Sequence, residues 1–69
     1  MTRTPVTSSQ LKSVGHDPAT NKMHIEFKNG VVYEYDGVST ADHQALVGAA
    51  SVGQHFNKHV KYGFTYRKL

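Results

Sequence analysis

The sequence predicts an α+β domain in which a three-stranded antiparallel meander is followed by two short helices, with Phe64–Leu69 able to add a short C-terminal strand. Three observations lead there. Met23, Ile25 and Phe27 alternate with His24, Glu26 and Lys28 up to Asn29-Gly30, and alternation resumes over Val31–Asp36. After Gly37 the apolar spacing becomes helical. Finally, 69 residues without cysteine leave room for one domain with one small core and no disulfide staple.

Met1–Pro5 reads as a frayed start. Gln10–His16 follows as a first strand carrying Leu11 and Val14. Asp17-Pro18-Ala19-Thr20-Asn21 is a turn, because Pro18 fixes its own φ and Asp17 can bond the backbone ahead of it. Asn29-Gly30 is a strong hairpin signal, since both residues tolerate positive φ.

Two registers are open to that hairpin. A two-residue turn pairs Phe27 with Val32 and sends Tyr33 and Tyr35 to the face away from Met23, Ile25 and Phe27. A three-residue loop with Gly30 as a bulge pairs Phe27 with Val31 and Ile25 with Tyr33, bringing all six side chains to one face. The second is expected, because so small a domain can hardly leave two tyrosines outside its core.

Ser39 followed by Asp42 resembles a capping box with Asp in place of Glu, and Ala41, Ala45, Leu46, Ala49 and Ala50 form an apolar stripe. Ser51 with Gln54 is a cleaner capping box and starts the second helix. Val52, Phe56 and Val60 face its core, Gln54, Lys58 and Lys61 face out, and Gly63 stops it.

Charge is distributed unevenly. The net charge is +3, yet the five acids, Asp17, Glu26, Glu34, Asp36 and Asp42, all precede residue 43. His43–Leu69 holds Lys58, Lys61, Arg67 and Lys68 and no acid. A basic C-terminal third suits a phosphate backbone or an acidic protein surface, although it also describes an ordinary solvated face. No apolar run is long enough to span a membrane, and Met1–Pro5 has no signal-peptide core, so no membrane partner and a cytoplasmic home are expected.

An ordered set of motifs resembles the KTSC domain, a short bacterial and phage module also found at the C-terminus of some lysyl-tRNA synthetases. The residues are Ser8-Ser9, Gly15-x-Asp17, Phe27-x-Asn29-Gly30, Tyr33-x-Tyr35 with Gly37-Val38, Ala50-Ser51-x-Gly53 and Phe56-Asn57, spread over roughly residues 6–64. His16, Ser39 and Val52 depart from the pattern, standing where tyrosine, proline and a basic or polar residue are usual. The resemblance implies a stand-alone binding module, with RNA suggested by the synthetase context.

Catalytic chemistry finds little support in these residues. No serine sits in a nucleophile elbow, Ser8 and Ser9 have no assigned base, and the acids form no evident pair. His55 and His59 have the i, i+4 spacing that zinc uses, but a third ligand is needed and Phe56 stands where a metalloprotease has its glutamate. Neither a metal nor another cofactor is therefore expected.

Binding chemistry fares better. Tyr33 and Tyr35 would stack bases if exposed, or would be core tyrosines with hydroxyls at the sheet rim. Ser51 and Gly53 would offer backbone donors to an anion at the start of the second helix, or would simply cap it. The expectation is a small non-enzymatic module for RNA or single-stranded nucleic acid, with Lys58, Lys61 and Arg67 on phosphates, Ser51 and Gly53 as donors, and Tyr33 and Tyr35 stacking. The alternative is a protein-binding or inhibitory module that acts on an acidic surface of a partner.

Overall fold

The computed structural model describes all 69 residues and places Gly30 at φ 89°, which decides the hairpin. The Phe27 N–H donates to Val31 O at 2.9 Å, and the Gly30 N–H donates to Phe27 O at 2.9 Å. Ile25 lies opposite Tyr33 and Met23 opposite Tyr35. This is the three-residue loop with a glycine bulge, and it carries Tyr33 and Tyr35 to the core face.

The expected three-stranded meander is incomplete. The sheet has five antiparallel strands in the order β1-β2-β3-β4-β5, with strands β1 (Arg3–Pro5), β2 (Leu11–Asp17), β3 (Lys22–Phe27), β4 (Val32–Tyr35) and β5 (Tyr66–Lys68). The α+β class stands. Met1–Pro5 is not frayed, because Arg3 pairs with Gly15, Thr4 with Val14 and Pro5 with Ser13. Gly15 makes this close approach possible. A Cβ there would come within 2.8 Å of Arg3 Cγ and 3.0 Å of Thr2 O. At the other edge, Tyr66 lies opposite Tyr35 and Arg67 opposite Glu34. The short C-terminal strand expected within Phe64–Leu69 is present as β5, whereas β1, three exposed residues ending in Pro5, carries no period-two pattern to reveal it.

Between β4 and β5 run helix α1 (Thr40–Val47) and helix α2 (Val52–His55), which continues as a π-helical turn over Phe56–Val60. Both expected caps form, but the more complete one is at Ser39 rather than at Ser51. Ser39 and Asp42 form the complete reciprocal box, whereas at α2 only the Ser51 hydroxyl bonds back, accepting from the Gln54 N–H. The alanine stripe of α1 is also thinner than expected. Only Leu46 is buried; Ala41 and Ala45 are exposed, and Ala49 and Ala50 lie beyond the end of the helix.

The core is one cluster: Leu11, Val14, Met23, Ile25, Tyr35, Val38, Leu46, Val52, Phe56 and Val60, with Val6, Phe27, Tyr33 and Phe64 packed against it. In the π turn the Lys61 N–H reaches back five residues to Phe56 O, at 2.9 Å. Phe56 and Val60, four residues apart, both lie on the core side, while Asn57 and Lys61, also four apart, come together at the edge of the sheet.

At the open end of the core, His16 and His43 stack with ring centroids 4.9 Å apart. His16 Nε2 lies 2.6 Å from Val38 O, which can only accept, so that nitrogen carries the hydrogen. Burial, with His16 alongside, lowers the His43 pKa from its ordinary value.

Candidate functional site: an aromatic basin and a basic rim

Five aromatic side chains converge between the β4–β5 edge and the π turn. Phe27 meets Tyr33 and Phe56 edge-on at 5.6 and 5.5 Å, and Tyr66 meets Tyr33 and Tyr35 at 5.6 and 5.3 Å. Tyr35 completes the set against Phe56 at 5.8 Å. Such edge-to-face pairs hold ring orientations in place. Tyr35 and Phe56 are buried and form the floor, Tyr33 and Phe27 are half-buried, and Tyr66 is 53% exposed. Burial, with Tyr66 and Tyr33 nearby, pushes the Tyr35 hydroxyl up to about 12, so it stays neutral at physiological pH. The rings line a cavity of about 320 Å³ whose rim carries Gln10, Asn29, Asn57, Lys61 and Lys68.

The residues singled out from the sequence divide between different surfaces. Tyr33, Tyr35 and Lys61 meet at this basin. Lys58 is exposed and lies two residues from both Phe56 and Val60, on the opposite side of the turn from the core. Ser51 and Gly53 line a separate polar pocket with Ser8 and Gln10. There the Ser8 hydroxyl accepts from the Gln10 and Leu11 N–H groups, each at 3.3 Å, and a Cβ on Gly53 would lie 3.1 Å from that oxygen. Gly53 thus has a packing reason to be glycine.

Arg67 lies on the opposite face of the sheet. Its guanidinium is 2.6 Å from Glu34, whose carboxylate also receives His24 Nε2 at 2.8 Å and Lys22 Nζ at 3.3 Å. The hydrogen bond from His24, followed by those from Lys22 and Arg67, outweighs burial and holds Glu34 at about 2, well below its ordinary 4.5. Because the folded-state value is depressed, this contribution to stability is present above the unfolded-state value and lost as pH falls towards the folded one. Thermal melts should therefore drop between about pH 5 and pH 2. In Glu34→Gln that part of the profile should flatten, and an unchanged profile would show that the carboxylate is not held.

Sequence reasoning missed Tyr66 and Lys68 as members of the site, together with the amides of Gln10, Asn29 and Asn57. Tyr66 and Lys68 share a strand face by alternation, but only pairing with β4 brings that face to Tyr33 and Tyr35. His55 and His59 lie side by side, with ring centroids 4.7 Å apart and planes tilted by 45°, but no group of three or more His, Cys, Asp or Glu side chains is placed to hold a metal.

Residues 7–64 match the family model of the KTSC domain. The chain belongs to the KTSC domain family. The KTSC fold matches the crystal structure of a KTSC domain protein from Yersinia pestis with a TM-score of 0.94 and 37% identity, over 99% of this chain and 96% of that one. An uncharacterised protein of Stutzerimonas stutzeri is 41% identical over 58 residues, covering 84% of this KTSC chain and 82% of its own. A lysine–tRNA ligase of Nostoc punctiforme is 39% identical over 61 residues, covering 88% of this chain but only 11% of the ligase. A second Nostoc lysine–tRNA ligase matches in the same way at 36% identity. The KTSC domain thus occurs both as a short chain and as a small part of a tRNA ligase. No helix of this one is long and apolar enough to cross a membrane.

Proposed function

We propose that this KTSC domain is a non-catalytic module that binds single-stranded nucleic acid, RNA foremost, at the aromatic basin and its basic rim. The observation that carries the reading is the meeting of accessible Tyr33 and Tyr66 rings with Lys61 and Lys68 around one cavity. Base–aromatic stacking contributes roughly 1–3 kcal/mol per base, and adjacent ammonium groups hold the phosphates that follow. Tyr33 stacks, Tyr35 supports it from below, and Lys61 and Lys68 take phosphates, with Lys58 adding charge from the outer side of the same turn. Tyr62, 86% exposed beside Lys61, offers a further ring along the strand's path. Arg67 is paired with Glu34 on the far face and takes no phosphate, and Ser51 and Gly53 remain a second polar patch rather than an anion cradle, because the Ser51 hydroxyl caps Gln54 and Gly53 packs against Ser8. The occurrence of the same domain in lysine–tRNA ligases supports an RNA ligand.

Fluorescence anisotropy of a labelled single-stranded RNA tests this. Three phosphate contacts at about −0.7 each give a slope of log affinity against log salt near −2. Replacing Lys58 and Lys61 with Glu should weaken binding to all sequences alike and leave the melting temperature within a few degrees, because exposed lysines contribute little to folding. Tyr66→Ala should weaken binding without reducing the salt slope. Failure of the parent to bind at low salt would end this reading and leave an acidic protein surface as the ligand of the basic face.

A further inference from the structure

The hydrogen bonds around the rim determine which ends of its amides are free. The Gln10 side-chain NH2 donates to Gly53 O at 3.4 Å and to Asn57 Oδ1 at 3.2 Å. A backbone carbonyl can only accept, so the Gln10 NH2 must face it, and Asn57 must then turn its oxygen towards Gln10. In the β3–β4 loop, Asn29 Oδ1 accepts from the Val31 N–H at 3.0 Å, which settles that amide too. Both asparagines therefore keep their oxygens for the protein and leave their NH2 groups free.

With the Lys61 and Lys68 ammonium groups, which are donors only, the rim is rich in donors, against the free Gln10 Oε1. About 320 Å³ is at the small end of ligand cavities, which run from roughly 300 to 1,000 Å³, and suits one base rather than a stretch of strand. Uracil and thymine present carbonyl acceptors, and guanine presents O6 and N7. Cytosine and adenine present an exocyclic amino donor at the corresponding edge, where it would meet another donor.

Resting on the reading that this face binds single strands, we infer that the basin takes one unpaired keto base, uracil, thymine or guanine, which is stacked on Tyr33 with its edge towards the nearly perpendicular Tyr66 ring and read by the Asn29 and Asn57 NH2 groups. The phosphates on either side lie against Lys61 and Lys68. Sequence preference then arises in the basin, while the surrounding lysines add affinity without preference.

The test compares short labelled oligo-U and oligo-C, two pyrimidine strands of equal charge, at one salt concentration. Oligo-U should bind about tenfold more tightly, the worth of one or two hydrogen bonds to otherwise unpaired donors. Asn29→Asp and Asn57→Asp each keep the oxygen that the protein uses and replace the free NH2 by an acceptor. Both should lower overall affinity through their charge, but the diagnostic effect is that the U-to-C ratio collapses towards one. Lys58→Glu should lower both affinities and keep the ratio. Equal binding of oligo-U and oligo-C by the parent would overturn the base inference while leaving nucleic-acid binding intact. A ratio that survives in both Asp variants, with their melts unchanged, would remove the asparagines as readers and overturn it as well. Loss of binding to every strand would bring down both proposals together.

Discussion

Phe56→Ala should leave the domain largely unfolded at room temperature. Phe56 is 2% exposed, packs edge-on against Phe27 and Tyr35, and sits where α2 passes into the π turn. Removing a buried phenylalanine ring costs about 3–5 kcal/mol, and a core of this size rarely supplies more than about 3–5 kcal/mol in all. Each kcal/mol shifts the midpoint by about 4–8 °C in a domain of this length, so a loss of at least about 12 °C is expected where a transition remains visible. The variant would also lose the basin floor, so RNA binding should vanish with the fold. A midpoint within about 4 °C of the parent would mean that Phe56 does not join helix to sheet as described.

Gly30→Val should be far more damaging than Gly30→Asn. Gly30 holds φ 89°, and a Cβ built there meets nothing within 4 Å, so space is not the obstacle. The cost is conformational. A β-branched side chain in the left-handed region loses about 2 kcal/mol or more, whereas asparagine enters it readily. Circular-dichroism melts should separate the two variants by about 8 °C or more. Equal midpoints would remove the glycine bulge, and with it the register that brings Tyr33 and Tyr35 into the core face.

That register was legible because two local signals agree. The alternation of Met23, Ile25 and Phe27 continues as Val31, Tyr33 and Tyr35 only if the loop has three residues, and Gly30 permits such a loop. The core side of the second helix was legible in the same way, from the spacing of Val52, Phe56 and Val60. The candidate site was legible only in part. Strand and helix patterns point to Tyr33 and Lys61, but their meeting at one cavity depends on how the second helix packs across the sheet, which no local pattern carries. Arg67 was grouped with the basic helix because it is basic and follows it, yet strand alternation sends it to Glu34 on the other face.

A few adjacent residues encode the β3–β4 hairpin and its register, the caps at Ser39 and Ser51, and the apolar faces that become the core. Folding in three dimensions adds strand β1, the pairing that fixes β5 beside β4, the basin that β5 completes with Tyr66 and Lys68, and the free ends of Asn29 and Asn57. The physical reason lies in sequence separation. Arg3–Pro5 and Tyr66–Lys68 are too short to hold a strand conformation alone. Their hydrogen bonds come from β2 and β4, and those edges exist only once the central hairpin and its helices have closed around the core.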